Sequence, residues 1–256
     1  MPDVRAPRSQ WVDIAKAISI LLVVFHHSQY SFTPQMAHVD EVLLFFRMPL
    51  FFFASGLFLR KMMGYDLPGL LGRRIAPLLY LYVIWSLVKW GVVAGVPYLR
   101  GQPSDLSSLL RIFWEPQTTL WFIYALALYS LLAWLLRRLP ELLVAVGALL
   151  VGGAALSVGP VTDGPFALRL ARFFVWFWLG YVLRDQVAAL VKRHFRWGFL
   201  VAIPLWGMAC HFLIVSGANL HAWALPLTAS ALLAGLVLAA GLERSVLSAP
   251  LAAVHG

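Results

Sequence analysis

Apolar and polar positions divide the chain into long apolar runs separated by short polar breaks. The runs fall at about 11 to 29, 42 to 59, 75 to 96, 118 to 136, 141 to 158, 169 to 185, 197 to 215 and 222 to 241. A helix needs ~20 apolar residues to cross the ~30 Å hydrocarbon core of a bilayer, and each run approaches that length. The pattern predicts an all-α fold, a polytopic integral membrane helix bundle of about eight transmembrane helices. No internal repeat, low-complexity tract or linker rich in Pro, Gly or Ser divides it, so residues 1–256 read as one membrane-embedded domain.

Composition sharpens this reading. Hydrophobic residues make up 61% of the chain and charged ones 12%, with a mean hydropathy of +0.81, which excludes an ordinary soluble domain. The net charge of +9 does not call for a nucleic-acid partner, because no soluble domain carries a basic face. It follows instead from the rule that concentrates Lys and Arg in cytoplasmic loops. With the N-terminus cytoplasmic, the inner segments hold Arg5, Arg8, Arg60, Lys61, Arg73, Arg74, Arg137, Arg138, Arg184, Lys192, Arg193, Arg196 and Arg244. The outer connections and their flanks hold only Arg47, Arg100, Arg111, Arg169 and Arg172, while Lys16 and Lys89 lie inside spans. Asp13 and Lys16 interrupt what would otherwise be a signal-peptide core, so the first span is expected to be retained. The lone cysteine, Cys210, excludes an internal disulfide or a cysteine metal cluster and is expected to pack.

The longest outer connection, Pro97 to Gln117, carries Gly101, Pro103, Ser104 and Pro116 as breakers around an amphipathic stretch, Leu106 to Trp114. It reads as an interfacial loop, with a surface lid as the alternative. Trp85, Trp90, Trp114 and Trp121 fall near span ends, where aromatic belts form.

The chemistry concentrates in the first span, WVDIAKAISILLVVFHHSQY. Ionisable residues in a spanning helix cost about 2.5–3.5 kcal/mol each on insertion scales and tend to face a bundle interior or a cavity. At about 100° per residue, Lys16 and His27 lie within roughly 20° of each other, about 16 Å apart along the axis. Asp13 stands about 40° from His27 and three residues before Lys16, so acid and base can meet. His26 is turned away from His27 by about 100°, which leaves it to packing or a supporting role. Plainer readings exist: a membrane histidine can bond across a helix interface, and Lys16 can snorkel. Beyond this first-span stripe no helix shows a cluster of His and carboxylate ligands, so no metal is expected.

The residues resemble acyltransferase family 3, integral membrane O-acyltransferases, and within it the fucose O-acetylase-like branch. Members carry an aspartate, a base three positions on and a histidine after ten more residues in the first helix, matched here by Asp13, Lys16 and His27. Arg47 to Gly56, RMPLFFFASG, is similar to the second-helix pattern of the family. Arg73-Arg74-Ile75-Ala76-Pro77 resembles the basic cluster and proline that open the third helix, Leu120-Trp121-Phe122 a later helix opening, and Phe174 to Leu183 the aromatic helix ending in Gly-Tyr. Two departures stand out. The basic cluster often has arginines separated by two residues, which here would need a base at Leu70 or Leu71. Members usually have about ten helices, with a late histidine and a Ser-x-x-x-Tyr-like pattern, so the resemblance implies a C-terminally truncated member ending at His255-Gly256.

The resemblance implies transfer of an acyl group, commonly acetyl from acetyl-CoA, to a sugar hydroxyl of a cell-surface glycan or its lipid-linked precursor, in a bacterial cytoplasmic (inner) membrane. Membrane lipids and an acyl-CoA donor are the implied partners. His27 would serve as general base or as an acyl-carrying nucleophile. Lys16 would supply positive charge for the oxyanion or donor phosphate, with Asp13 fixing it. Arg73 and Arg74 would hold donor phosphates at the inner mouth. Ser55 and Trp121 are candidate substrate contacts, although Phe51 to Ser55 also reads as packing and Trp121 as a belt anchor. The competing functions are a transporter or flippase for a glycan or lipid intermediate, and an inactive membrane fragment.

Overall fold

Each of the apolar runs contains a helix in the computed structural model, which describes residues 10–28, 37–116, 119–157, 165–217 and 223–252, and no strand occurs among them. The helices are α1 (Gln10–Ser28), α2 (Ala37–Gly56), a short α3 (Leu59–Met63), α4 (Leu67–Leu99), α5 (Trp121–Leu136), α6 (Glu141–Ser157), α7 (Phe166–Val182), α8 (Arg184–Val215) and α9 (Ala224–Ala252), with a 3₁₀ helix at Leu106–Phe113 between α4 and α5.

The start of α4 follows from local chemistry. The Asp66 side chain accepts a hydrogen bond from the amide of Gly69, and Pro68 occupies the first turn, where its missing N–H leaves no bond unmade. Two turns of α4 are wider than α, at Leu71–Ile75 and Gly91–Gly95, where the amides of Ala76 and Val96 bond the carbonyls of Leu71 and Gly91, five residues back.

Contacts fix the direction of each helix. Lys16 meets Phe58 while Ser19 donates to the Arg47 carbonyl, so α1 and α2 run antiparallel. Trp134 of α5 donates to the Tyr65 carbonyl just before α4, whereas Tyr124 stacks on Tyr82 further along α4, so these two are antiparallel as well. The indole of Trp178 donates to the carbonyl of Glu141, and Arg172 to that of Ala155, which sets α6 against α7. The Trp206 indole reaches the Leu227 carbonyl between α8 and α9. One end of the bundle, here the lower, therefore carries Trp11, Tyr65, Trp134 and Glu141; the upper carries Trp90, Trp121 and Phe166.

The core is aromatic. Phe52, Tyr129, Phe173 and Phe177 interlock at centroid distances between 5.0 and 5.7 Å, and the Tyr129 hydroxyl is satisfied by the Leu170 carbonyl at 2.8 Å. Tilted and T-shaped ring pairs add to the area they bury, about 0.5–1.5 kcal/mol each. Phe51, Phe52, Phe53 and Cys210 are all buried, in keeping with packing roles.

Gln10–Ser28, Leu67–Leu99 and Ala224–Glu243 are long and apolar enough to cross a membrane by themselves, and a fourth crossing arises if the bent pair of α7 with the start of α8 counts as one. Leu43–Gly56, Trp121–Leu136, Glu141–Leu156 and Val201–Leu213 are apolar but shorter. The main difference from the sequence pattern lies after α7. Residues 186–196, expected as a polar connection, belong to the 32-residue helix α8, which meets α7 at a 70° bend. Polarity ends an apolar run there, but Arg, Asp, Gln, Ala and Leu without a Gly or Pro do not end a helix. Arg47 and Arg172, assigned to outer flanks by the sequence pattern, are instead buried within the bundle.

Candidate active site

Along α1 the buried positions are Trp11, Val12, Ala15 and Ser19, spaced to face α2 and α9. Asp13 and Lys16 stand beside this stripe and are half-buried. The Lys16 ammonium lies 4.4 Å from the centroid of Phe58, in the turn that joins α2 to α3, a cation–π contact that fixes the long side chain at the lower end. Ser55 is buried one turn before Phe58, and its hydroxyl finds no hydrogen-bond partner among the described residues.

Arg73 and Arg74 sit in the first wide turn of α4. Arg73 is exposed, with its guanidinium 5.6 Å from the Tyr65 ring. Arg74 is half-buried, and its Nε is shut from solvent without a hydrogen-bond partner among the described residues. A buried donor left unmet costs about 1–3 kcal/mol, more when charged, which marks a place where a ligand acceptor is favoured.

The fold gathers further bases here. The Arg137 guanidinium covers the Trp134 ring at 3.5 Å, and the Trp134 indole donates to the carbonyl of Tyr65, whose ring carries Arg73. Lys16 on Phe58 and Arg73 on Tyr65 thus flank the two ends of α3, from which Arg60 and Lys61 project into solvent. The sequence pattern had classed Arg137 only as an inner-loop base. Its spacing of three from Trp134 was the available signal.

His27 stands elsewhere. It is exposed at the upper end of α1, about 16 Å of helix rise above Lys16. His26 continues the buried stripe and is half-buried, and the two imidazole centroids lie 4.7 Å apart at 62°. Trp121 opens α5 on the upper side, between Phe52, Phe166 and Phe173. The predicted residues therefore form three groups: Asp13, Lys16 and Ser55 with the neighbouring Arg73 and Arg74 below, the histidine pair at the top of α1, and Trp121 at the top of α5.

A cavity of about 10 Å³, room for roughly one water, lies between α2, α7 and α9, lined by Pro49, Phe45, Arg172 and Thr228. Pro49 lacks an N–H and so releases the Phe45 carbonyl from the α2 ladder beside it. Among the described residues no group of three or more His, Cys, Asp or Glu side chains is placed to hold a metal ion.

The family model described as an acyltransferase domain matches residues 9–250, so the match takes in every one of these groups. No curated protein and no solved structure matches the chain. With apolar helices of a kind suited to a membrane and a family model matched over nearly all of its length, the chain belongs to acyltransferase family 3.

Proposed function

We propose that the protein moves an acetyl group from acetyl-CoA to a sugar hydroxyl of a cell-surface glycan or its lipid-linked precursor, in a bacterial inner membrane. In this reading the apolar helices make eight crossings with the lower end cytoplasmic, which agrees with the base-rich inner loops. The observation that carries it is the Arg74 Nε, shut from solvent with no hydrogen-bond partner among the described residues, next to Arg73, whose guanidinium lies near the ring of Tyr65 in the group that Trp134 and Arg137 complete. Phosphate oxygens satisfy such donors, and aromatic faces alongside suit the adenine of a CoA head.

The chemistry then runs upward. The sugar O–H gives its proton to neutral imidazole of His27 as the oxygen attacks the thioester carbonyl carbon; the C–S bond breaks, and the thiolate leaving group takes a proton from the imidazolium. In the covalent route, the neutral His27 nitrogen attacks the thioester carbon first, the C–S bond breaks and the departing thiolate takes the proton of the acyl-imidazolium; the sugar oxygen then attacks the acyl carbon and the displaced imidazole takes the sugar's proton. Lys16, seated on the Phe58 ring, supplies positive charge on the donor side, with Asp13 one turn before it assigned to steady it.

Membranes containing the protein should incorporate radiolabel from acetyl-CoA into a glycan or lipid-linked fraction, and His27→Ala should abolish it. Equal incorporation by the two proteins would remove His27 from the chemistry. No incorporation by either would favour a transport function.

A further inference from the structure

Lys16 and His27 both ride on α1, so whatever fixes the axis of that helix places them together. The first turn of a helix has amides without an intrahelical partner, and the amide of Trp11 is one of these. It donates to the Glu243 carboxylate at 3.1 Å, across 232 positions of chain. Glu243 is half-buried on α9, at the lower end of the apolar stretch Ala224–Glu243. An acid kept on such a stretch carries an insertion penalty and needs a reason. Here the carboxylate meets the positive end of the α1 dipole.

The two helices are held unequally. On α9, Leu236, Ala239 and Ala240 are buried, and at about 100° per residue Glu243 falls within roughly 60° of all three, so it continues the packed face. Gly235 lies so near α2 that an added Cβ would press on the Phe46 and Leu50 side chains. By contrast, α1 buries Trp11, Val12, Ala15 and Ser19 but turns Leu21 and Val24 outward in its upper half. Midway along it the Ser19 hydroxyl donates to the Arg47 carbonyl of α2. The Glu243 and Arg47 ties, one at the lower end and one halfway up, thus define a line.

Ser19 is eight residues from Trp11 and eight from His27, about 12 Å of rise on either side. With Ser19 as pivot, a sideways step of the lower turn returns at His27 in about equal measure, reversed. Lys16, three residues from the pivot, moves little. A misplacement of about 1 Å between reacting groups can cost ~100-fold in rate. We infer that Glu243 is a positioning residue: carried on the packed face of α9, its carboxylate holds the first turn of α1 and so sets where His27 is presented. That His27 transfers an acyl group rests on the acyltransferase reading; the hold on α1 does not.

Two measurements on the full chain in lipid nanodiscs test this. In a Cys210→Ala background, spin labels on Val24→Cys and Leu233→Cys, both exposed positions, report the distance from the upper half of α1 to α9. Glu243→Ala should shift or broaden that distance by about 2 Å, beyond the displacement that costs catalysis. Glu243→Gln keeps an acceptor oxygen for the Trp11 amide and should hold the original distance. In the unlabelled protein, Glu243→Ala should lower kcat for acetyl transfer about tenfold or more with the acetyl-CoA KM unchanged, and Glu243→Gln should restore most of it. A distance unaltered in Glu243→Ala overturns the hold, as does a Glu243→Gln that moves α1 just as far. A shifted distance with an unchanged kcat overturns the positioning role. Should Glu243→Ala fail to fold, Glu243→Asp, one methylene shorter, replaces it in both arms. If the wild type transfers no acetyl group, the acyltransferase reading falls and the distances alone decide the hold on α1.

Discussion

Gly56 of α2 and Phe177 of α7 approach so closely that a Cβ on Gly56 would overlap the Phe177 carbonyl oxygen. Gly180 repeats the relationship from the other side, where an added Cβ would overlap the carbonyl oxygen of Phe53. Neither clash involves a side chain that can rotate away, so Gly56→Ala must push two core helices apart. Overpacking of this kind costs about 1–3 kcal/mol and more when backbone opposes it. Gly56→Ala is expected to lower the thermal midpoint in detergent and the folded yield; a midpoint equal to wild type would show that α2 and α7 shift at little cost.

Close approach was legible in Ser55-Gly56 at the end of an aromatic run, and so were the helices themselves, whereas Gly180 on the facing helix carried no such signal. Hydropathy was less informative about depth. It could not show that Arg47 and Arg172 turn inward, because an arginine at the edge of an apolar run looks the same whether it meets water or a carbonyl such as that of Ala155. Helical phase linked Lys16 to His27, but the packed stripe runs through Ser19 toward His26, since contact with α2 and α9 sets which face is covered. Arg137 acquires meaning only from Trp134, and ring contacts between helices leave no mark in a linear pattern.

The connection before α5 is tied down by Tyr82, whose hydroxyl donates to the Ile112 carbonyl, and by Trp90 to Leu106. Tyr82→Phe removes one tie while keeping the stack on Tyr124. A loss of about 0.5–1.5 kcal/mol is expected, with faster amide exchange across residues 106–113 and no change in α5. Exchange unchanged in that stretch would mean the stack alone holds it.

Asp105 caps the 3₁₀ helix, with its carboxylate accepting from the Ser107 amide and hydroxyl at 3.0 and 2.5 Å and pairing with Arg111 at 3.3 Å. The Ser107 hydroxyl first, then the Arg111 charge, hold this carboxyl below its ordinary value of 3.8. A depressed acid stabilises the folded form fully above that ordinary value and loses the contribution as pH falls through the lower, folded one. A fluorophore on Leu110→Cys should therefore report a constant environment from neutral pH down to about pH 5 and a change only below 3.8. Asp105→Asn should flatten that response; an unaltered profile would place the titration elsewhere.

If phosphate oxygens complete the Arg74 Nε, its loss should act on donor binding. Arg74→Gln is expected to raise the KM for acetyl-CoA about tenfold or more, the size of a hydrogen bond to a charged group, and to leave the acceptor KM alone. A fall in kcat with both KM values unchanged would assign Arg74 to the chemical step instead.

The wide turns of α4 have a consequence for how this helix tolerates deletion. Each five-residue loop of i→i+5 bonding holds one residue more than an α turn, and that surplus is absorbed locally. Removing a single residue from Gly91–Gly95 would restore ordinary pitch while the flanking segments keep their facing, so Tyr82 and Trp90 would still meet their partners. The same deletion between Tyr82 and Trp90 would swing one of them about 100° away. Over its 33 residues, α4 therefore carries its spare residues at two defined places, and the loss of one residue is absorbed there.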